Sequence, residues 1–256
     1  MKSNRLSRNC DKTELLWCAS SRRQHQLPNR ALSIDGTLVE PVTSARDLGI
    51  YVDSDLLARI HVQRTVSRCF AVLRQLRQIR RSVPTDTFQT LVVSLVLTRL
   101  DYGNSVLAGL PVYLVRRLQS VLNAAARLTY HLRRSDHITD ALVCLHWLRV
   151  PERVQYKIAV LVYPKFCTDS HCNILVHSTM SPTCLAADLS VLLAPTVWQC
   201  LQSSWQPSPT NRAFPVVGPR TWNDLPDDVT SAESLSTFRQ WLKTHLFTIS
   251  FFLIIP

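Results

Sequence analysis

Two spacings of apolar residues divide the chain. Between residues 31 and 52 they come in short runs, "ALSI" (31–34), "TLVEP" (37–41) and "LGIYV" (48–52). Asp35-Gly36 separates the first two runs, and a two-residue Asp-Gly loop supplies the positive-φ backbone that a tight antiparallel hairpin needs. A small β element is predicted here, with Leu48 to Val52 as a third strand. Beyond Asp53 the spacing becomes helical. Val62, Val66, Cys69, Phe70, Leu73 and Leu76 form one stripe, and Arg64 and Arg68 point away from it. Ser54 or Asp55 stands where a side chain accepts hydrogen bonds from the free amides of a starting helix. Arg80 and Arg81 close that helix at the end where cations suit the dipole, and Pro84 forbids its continuation.

A second helix is predicted over Phe88 to Leu100, apolar around most of its circumference and therefore central to a bundle. Leu114, Leu118, Val121, Leu122, Ala125 and Leu128 repeat the first stripe, with Arg116, Asn123 and Arg127 opposite, so a third amphipathic helix follows. A short helix capped at Ser135 comes next. Another begins at Pro151, a first-turn position, and runs to Tyr163, where Pro164 stops it. Residues 164–211 lose periodicity and gather Pro, Ser, Thr and Cys, the pattern of an irregular connector. A terminal helix over Ser234 to Phe247 lines up Leu235, Phe238, Leu242 and Leu246 and is expected to dock back on the bundle. The fold class is thus mainly α: a helical bundle preceded by a small β-hairpin element. Its divisions are 1–53 (β), 54–163 (helices), 164–211 (connector), 212–247 (tail motif and helix) and 248–256 (apolar tail).

Composition sharpens this picture. With 46% hydrophobic residues in 256, a sizeable core is available. The formal charge is +11, and it is uneven: residues 1–81 carry 15 basic and 7 acidic groups, residues 82–165 carry 10 and 5, and residues 166–256 carry 4 and 6. Most of the cations are arginines, whose forked guanidinium suits phosphate, so a polyanion is the partner class to test. The eight cysteines are irregularly spaced in a chain that needs no stapling, which points to reduced thiols and an intracellular, cytoplasmic or nuclear, location. The apolar ending from Leu246 is about half of the roughly 20 residues that span a bilayer.

Several phrases, in order, resemble the region after the catalytic palm in reverse transcriptases of non-LTR (LINE-type) retrotransposons. "NCDKTELLW" (9–17) is similar to the segment that follows the palm motif, and "ARDLGIYVDSDL" (45–56) to the hairpin and strand entering the thumb. "LDYGNSVLAGLP" (100–111) and "RLQSVLNAAARL" (117–128) resemble thumb-like helices. "HITDALVCLHWLRVPERVQYK" (137–157), "RAFPVVGPRTWNDLP" (212–226) and "SLSTFRQWLKTHLF" (234–247) resemble the post-thumb tail. The likeness covers most of residues 9–247. It breaks at Pro164: of the two phrases that the family carries next, only the second has a counterpart, "SPTCL" (181–185), before the likeness resumes at residue 212. The resemblance implies a thumb lying along template and primer, with the fingers, most of the palm and its contiguous Tyr-x-Asp-Asp pair belonging before residue 9.

Tyr51-Val-Asp53-Ser-Asp55 superficially echoes that catalytic pair. Two-metal phosphoryl transfer needs carboxylates converging from different strands, whereas Asp53 and Asp55 are separated by Ser54, follow "KTE" and fit a helix cap. No catalytic residue is assigned, and the chain is not expected to be an enzyme. Cys167, His171, Cys172 and His177 lack zinc-site spacing; Cys144 and His146 diverge by about 200° on a helix, too far for a nucleophile and its base. The resemblance implies that "LHWL" there is a packing motif. With five glycines no phosphate-cradling loop is present. No metal, cofactor or small-molecule substrate is called for. The remaining asset is the set Arg59, Arg64, Arg68, Arg74, Arg77, Arg80, Arg81, Arg116, Arg117, Arg127, Arg133 and Arg134. Singly each fits a solvated helix face. Together they fit weak, sequence-indifferent binding of RNA or RNA–DNA duplex through phosphates. The alternatives are a translated retroelement relic without activity and a helical protein-interaction domain.

Overall fold

The computed structural model describes residues 9, 12–19, 22–34, 36–167 and 214–251. The chain divides between His61 and Val62 into two compact units, and the fold is mainly α, with short strands ahead of the helices.

The first unit is built from three two-stranded pairings. β2 (Leu32–Ile34) runs antiparallel to β3 (Thr37–Val39) with Ile34 opposite Thr37, leaving a two-residue loop. Gly36 of that loop has φ +81°, which glycine adopts at no steric cost; Asp35 lies outside the described residues. β1 (Leu15–Leu16) pairs in parallel with β4 (Pro41–Val42). The strand expected over 48–52 is instead one arm of a second hairpin, β5 (Ser44–Asp47) against β6 (Ile50–Asp53). Leu48 (φ 45°) and Gly49 (φ 83°) make its loop, the double positive-φ pair of a primed turn.

The second unit holds most of the helical mass. α1 (Arg59–Ile79) opens at the unit boundary and ends in a single 3₁₀ turn, Arg80–Ser82. Its expected stripe is buried at Val62, Cys69, Leu73 and Leu76. The predicted second helix starts earlier and is interrupted: α2 (Thr85–Val92), a π-helical segment (Val93–Leu97), then α3 (Thr98–Asp101). It is one-sided rather than central. Phe88, Val92, Val96, Leu97 and Leu100 are buried, yet Val93 and Leu95 face solvent. The central position belongs to α4 (Val112–Tyr130), which buries seven residues and packs against α2 as well as α5 (Thr139–Cys144) and α6 (Val150–Cys167).

Two predicted boundaries move. Ser135 does not cap α5; the helix starts at Thr139, and the Ser135 region is a turn in which the Arg133 amide donates to Asp136 Oδ2 at 2.6 Å. α6 does not stop at Tyr163 but continues through Pro164 to Cys167. A proline so near a helix end removes one backbone bond. Packing of the turn before it is extensive, with Ile158, Ala159, Val162 and Tyr163 all buried.

α7 (Phe214–Asn223), α8 (Asp227–Thr230) and α9 (Leu235–Phe251) complete the unit. Ser234 caps α9, its Oγ accepting the Thr237 amide at 3.2 Å. As expected, Phe238, Leu242 and Leu246 are buried, and α9 docks on α6. The helix also takes in residues assigned to an apolar tail, burying Ser250 and Phe251. Tyr163, Trp222 and Phe238 form a ring cluster, the first and last 4.5 Å apart, and the Tyr163 hydroxyl donates to the Ala232 carbonyl at 3.0 Å. α7 approaches closely enough that a Cβ at Gly218 would stand 3.1 Å from Val162 Cγ2. Among the described residues no helix is long and apolar enough to cross a membrane. The connector from 168 and the end from 252 lie outside the described residues, as do the Cys167, His171, Cys172 and His177 side chains.

Candidate nucleic-acid interface

α1 sets the electrostatics of the helical unit. Its 21 residues, Arg59 to Ile79, include Arg59, Arg64, Arg68, Arg74 and Arg77 and no Asp or Glu. An ordinary solvated helix alternates signs and gains from i,i+4 ion pairs; this one carries a single sign. Arg64, Arg68, Arg74, Arg77 and Arg81 are exposed. Arg68, Arg74, Arg77 and Arg81 make no ion pair among the described residues. At about 100° per residue, Arg64 and Arg68 lie one turn apart on one flank. Arg74 and Arg77 share a second flank, about 130° around the axis, so the four form two cationic ridges rather than one face.

Two members of the sequence-derived set on or beside this helix have other work. Arg59 pairs with Asp55 at 3.0 Å. Arg80 is a correction: it is buried, 6% exposed, and its guanidinium reaches inward. Nε donates to the Leu128 carbonyl at 3.2 Å and Nη2 to the Thr129 carbonyl at 2.8 Å. Further bonds run to the Val83 carbonyl (3.3 Å) and Thr85 Oγ1 (3.3 Å), and the group sits 4.6 Å above the Phe88 ring. It closes the last turn of α4 and is not available to phosphate.

On α4, Arg116 and Arg117 are exposed as expected. Arg127, expected to point outward, is half-buried, with its Nε enclosed and without a hydrogen-bond partner among the described residues. Arg133 and Arg134 are exposed in the turn that follows His131, whose left-handed backbone (φ 56°) ends the helix. Sequence reasoning passes over Arg99, which falls in the helix expected to be central to the bundle, yet α3 presents it to solvent. Arg153, by contrast, is engaged, its Nε donating to Asp101 Oδ1 at 2.8 Å while Nη2 contacts Oδ2.

The cap of α1 comes from neither expected residue but from Asp53 at the end of β6, whose Oδ2 accepts the Ile60 amide at 3.2 Å; Asp55 Oδ1 accepts the Leu57 amide at 3.0 Å, ahead of the helix. Ser54, the other capping candidate, instead donates its hydroxyl to Gln24 Oε1 at 3.1 Å. Asp53 is buried, its Oδ1 has no partner among the described residues, and burial raises its pKa above the usual 3.8 despite the Ile60 amide. Among the described residues no three His, Cys, Asp or Glu side chains are grouped to hold a metal ion.

The other reactive types are placed without chemistry. Burial pushes the Cys69 thiol up to about 11, beside the Val96 carbonyl in the π segment. Cys144 is exposed; His146 stacks on Phe247 with ring centres 5.8 Å apart, and Trp147 is buried, in keeping with the packing role read from "LHWL". A hollow beside the start of α6 is lined by apolar side chains such as Leu107, Leu118, Val150 and Val154, together with Gly109, and offers no titratable group. No protein-family model, curated protein or solved structure matches this chain.

Proposed function

We propose that this chain is thumb and tail of a LINE-type reverse transcriptase, and that its residues hold RNA or RNA–DNA duplex through phosphates without reading sequence. The family origin is supported by the ordered phrases from "NCDKTELLW" to "SLSTFRQWLKTHLF". The binding role is supported by one observation above the rest: α1 exposes arginines on two flanks and has no carboxylate of its own. Guanidinium groups on such ridges neutralise phosphates and release condensed counterions, which supplies affinity but no base discrimination.

Asp53 caps α1 and Asp55 pairs with Arg59, so neither is assigned to nucleotidyl transfer; primer extension with magnesium or manganese is expected to yield no product. Binding is tested by fluorescence anisotropy with a blunt duplex at several salt concentrations. Affinity falls steeply with salt. The combined change of Arg64, Arg68, Arg74 and Arg77 to Gln weakens it and flattens the log–log slope by roughly 0.9 for each arginine that had touched a phosphate. No binding at low salt, or binding that ignores salt, overturns the reading.

A further inference from the structure

We propose that the outer face of α4 is a strip for single-stranded nucleic acid, on which Tyr113 and Tyr130 stack unpaired bases while Arg116, between them, and Arg117, on the flank beside Tyr113, hold phosphates. At about 100° per residue, Tyr113, Arg116, Ser120, Arg127 and Tyr130 fall within an arc of about 100°. This arc is opposite the buried Leu118, Val121 and Ala125. Tyr113 is 49% exposed and Tyr130 38% exposed. They stand at the two ends of the strip, roughly 25 Å apart along the axis at about 1.5 Å per residue. The helix contains no Asp or Glu, and Arg133 and Arg134 extend the charge beyond Tyr130.

The arrangement favours a strand over a protein partner. A protein-docking face needs contiguous apolar area, whereas here Val112 and Tyr113 at one end and Tyr130 at the other are separated by the exposed Arg116 and Ser120 and the half-buried Arg127. Isolated rings with cations between them suit a flexible polyanion whose bases present their flat faces. Bases within a duplex are already stacked on each other, so the tyrosines distinguish unpaired segments from paired ones. Every base has such a face and RNA and DNA share the phosphate, so the strip discriminates neither sequence nor sugar. The inference rests on the nucleic-acid reading above and assigns α4 the single-stranded part of that ligand.

The test uses the full chain and fluorescence anisotropy with a mixed-sequence single strand made as RNA and as DNA, the same strand with abasic sites, and a blunt duplex. One stacked base is worth about fivefold to a hundredfold in affinity. Abasic substitution therefore weakens binding at least fivefold, although the phosphates are unchanged. Joint Tyr113→Ala and Tyr130→Ala weakens single-strand binding to a similar degree, joint replacement by Phe preserves it, and neither pair alters duplex affinity. Should the Ala variant not fold, as read by circular dichroism, the abasic strand on the parent protein decides. Equal binding of intact and abasic strands, or equal loss with Ala and Phe, overturns the strip while leaving the duplex reading standing. A parent protein that binds no nucleic acid overturns both.

Discussion

Arg80 stands four residues beyond Leu76 and seven beyond Leu73, on the stripe that α1 turns into the core. Its position, rather than its charge, announced a buried role. Replacing it with Ala leaves the Leu128 and Thr129 carbonyls without their donor and opens space over Phe88. The expected loss is about 2–4 kcal/mol in chemical denaturation, since a buried acceptor stripped of its partner retains its full desolvation cost. Arg80→Lys recovers less than half, because one ammonium cannot reproduce a fork that serves four acceptors. The salt slope for nucleic-acid binding is unchanged in both variants.

Asp53 gives a pH signature of the opposite kind from a surface ion pair. Burial holds its folded pKa above 3.8, so the native state binds a proton more tightly than the unfolded chain. Its contribution to stability is therefore present below 3.8 and is lost as pH rises through the folded value. Asp53→Asn, which keeps an oxygen for the Ile60 amide, is at least as stable as the parent near neutral pH. That advantage disappears in denaturation curves recorded below 3.8.

At the scale of elements, amphipathic stripes were the legible part. α1, α4 and α9 lie where their periodicities place them because a one-sided apolar stripe has only one way to be buried. What periodicity hides is the weaker local signal. Leu48-Gly49 turns β5 into β6, yet a leucine at φ 45° is a choice that turn statistics disfavour, so the run around it resembles a single strand. That strain is removable: Leu48→Asn or Leu48→Gly, at a side chain 64% exposed, raises stability by about 0.5–1 kcal/mol in thermal or denaturant unfolding. Pro164 misleads in the reverse direction, since a helix-breaking residue is overruled by the buried turn that precedes it. The all-round apolar run of α2 and α3 shows a further limit. Composition reports how much of a helix is greasy, not how many neighbours it has, and Val93 and Leu95 remain in water.

For the whole molecule, the charge asymmetry of the sequence survives folding as a cationic helical unit, and of the arginines assigned to the interface the buried Arg80 is unavailable, while Arg59 is shared with Asp55. The interface was legible as a group and not residue by residue. Each arginine is equally cationic in sequence, but its availability depends on where the stripe of its own helix ends and on which carbonyls need a donor. Arg99 illustrates the converse, a cation that only the one-sided placement of α3 exposes.

A helix that carries cations of one sign works against itself in water: Arg64 with Arg68 and Arg74 with Arg77 repel at the spacings where opposite charges would help, by about 0.2–0.5 kcal/mol per pair. That repulsion is relieved by any dense anion laid against it, sequence aside. Heparin, a polysulfate with no bases at all, is therefore expected to raise the melting temperature in a concentration-dependent way. The rise should shrink when those four arginines become Gln, leaving a helix that is less basic and, in plain buffer, easier to keep wound.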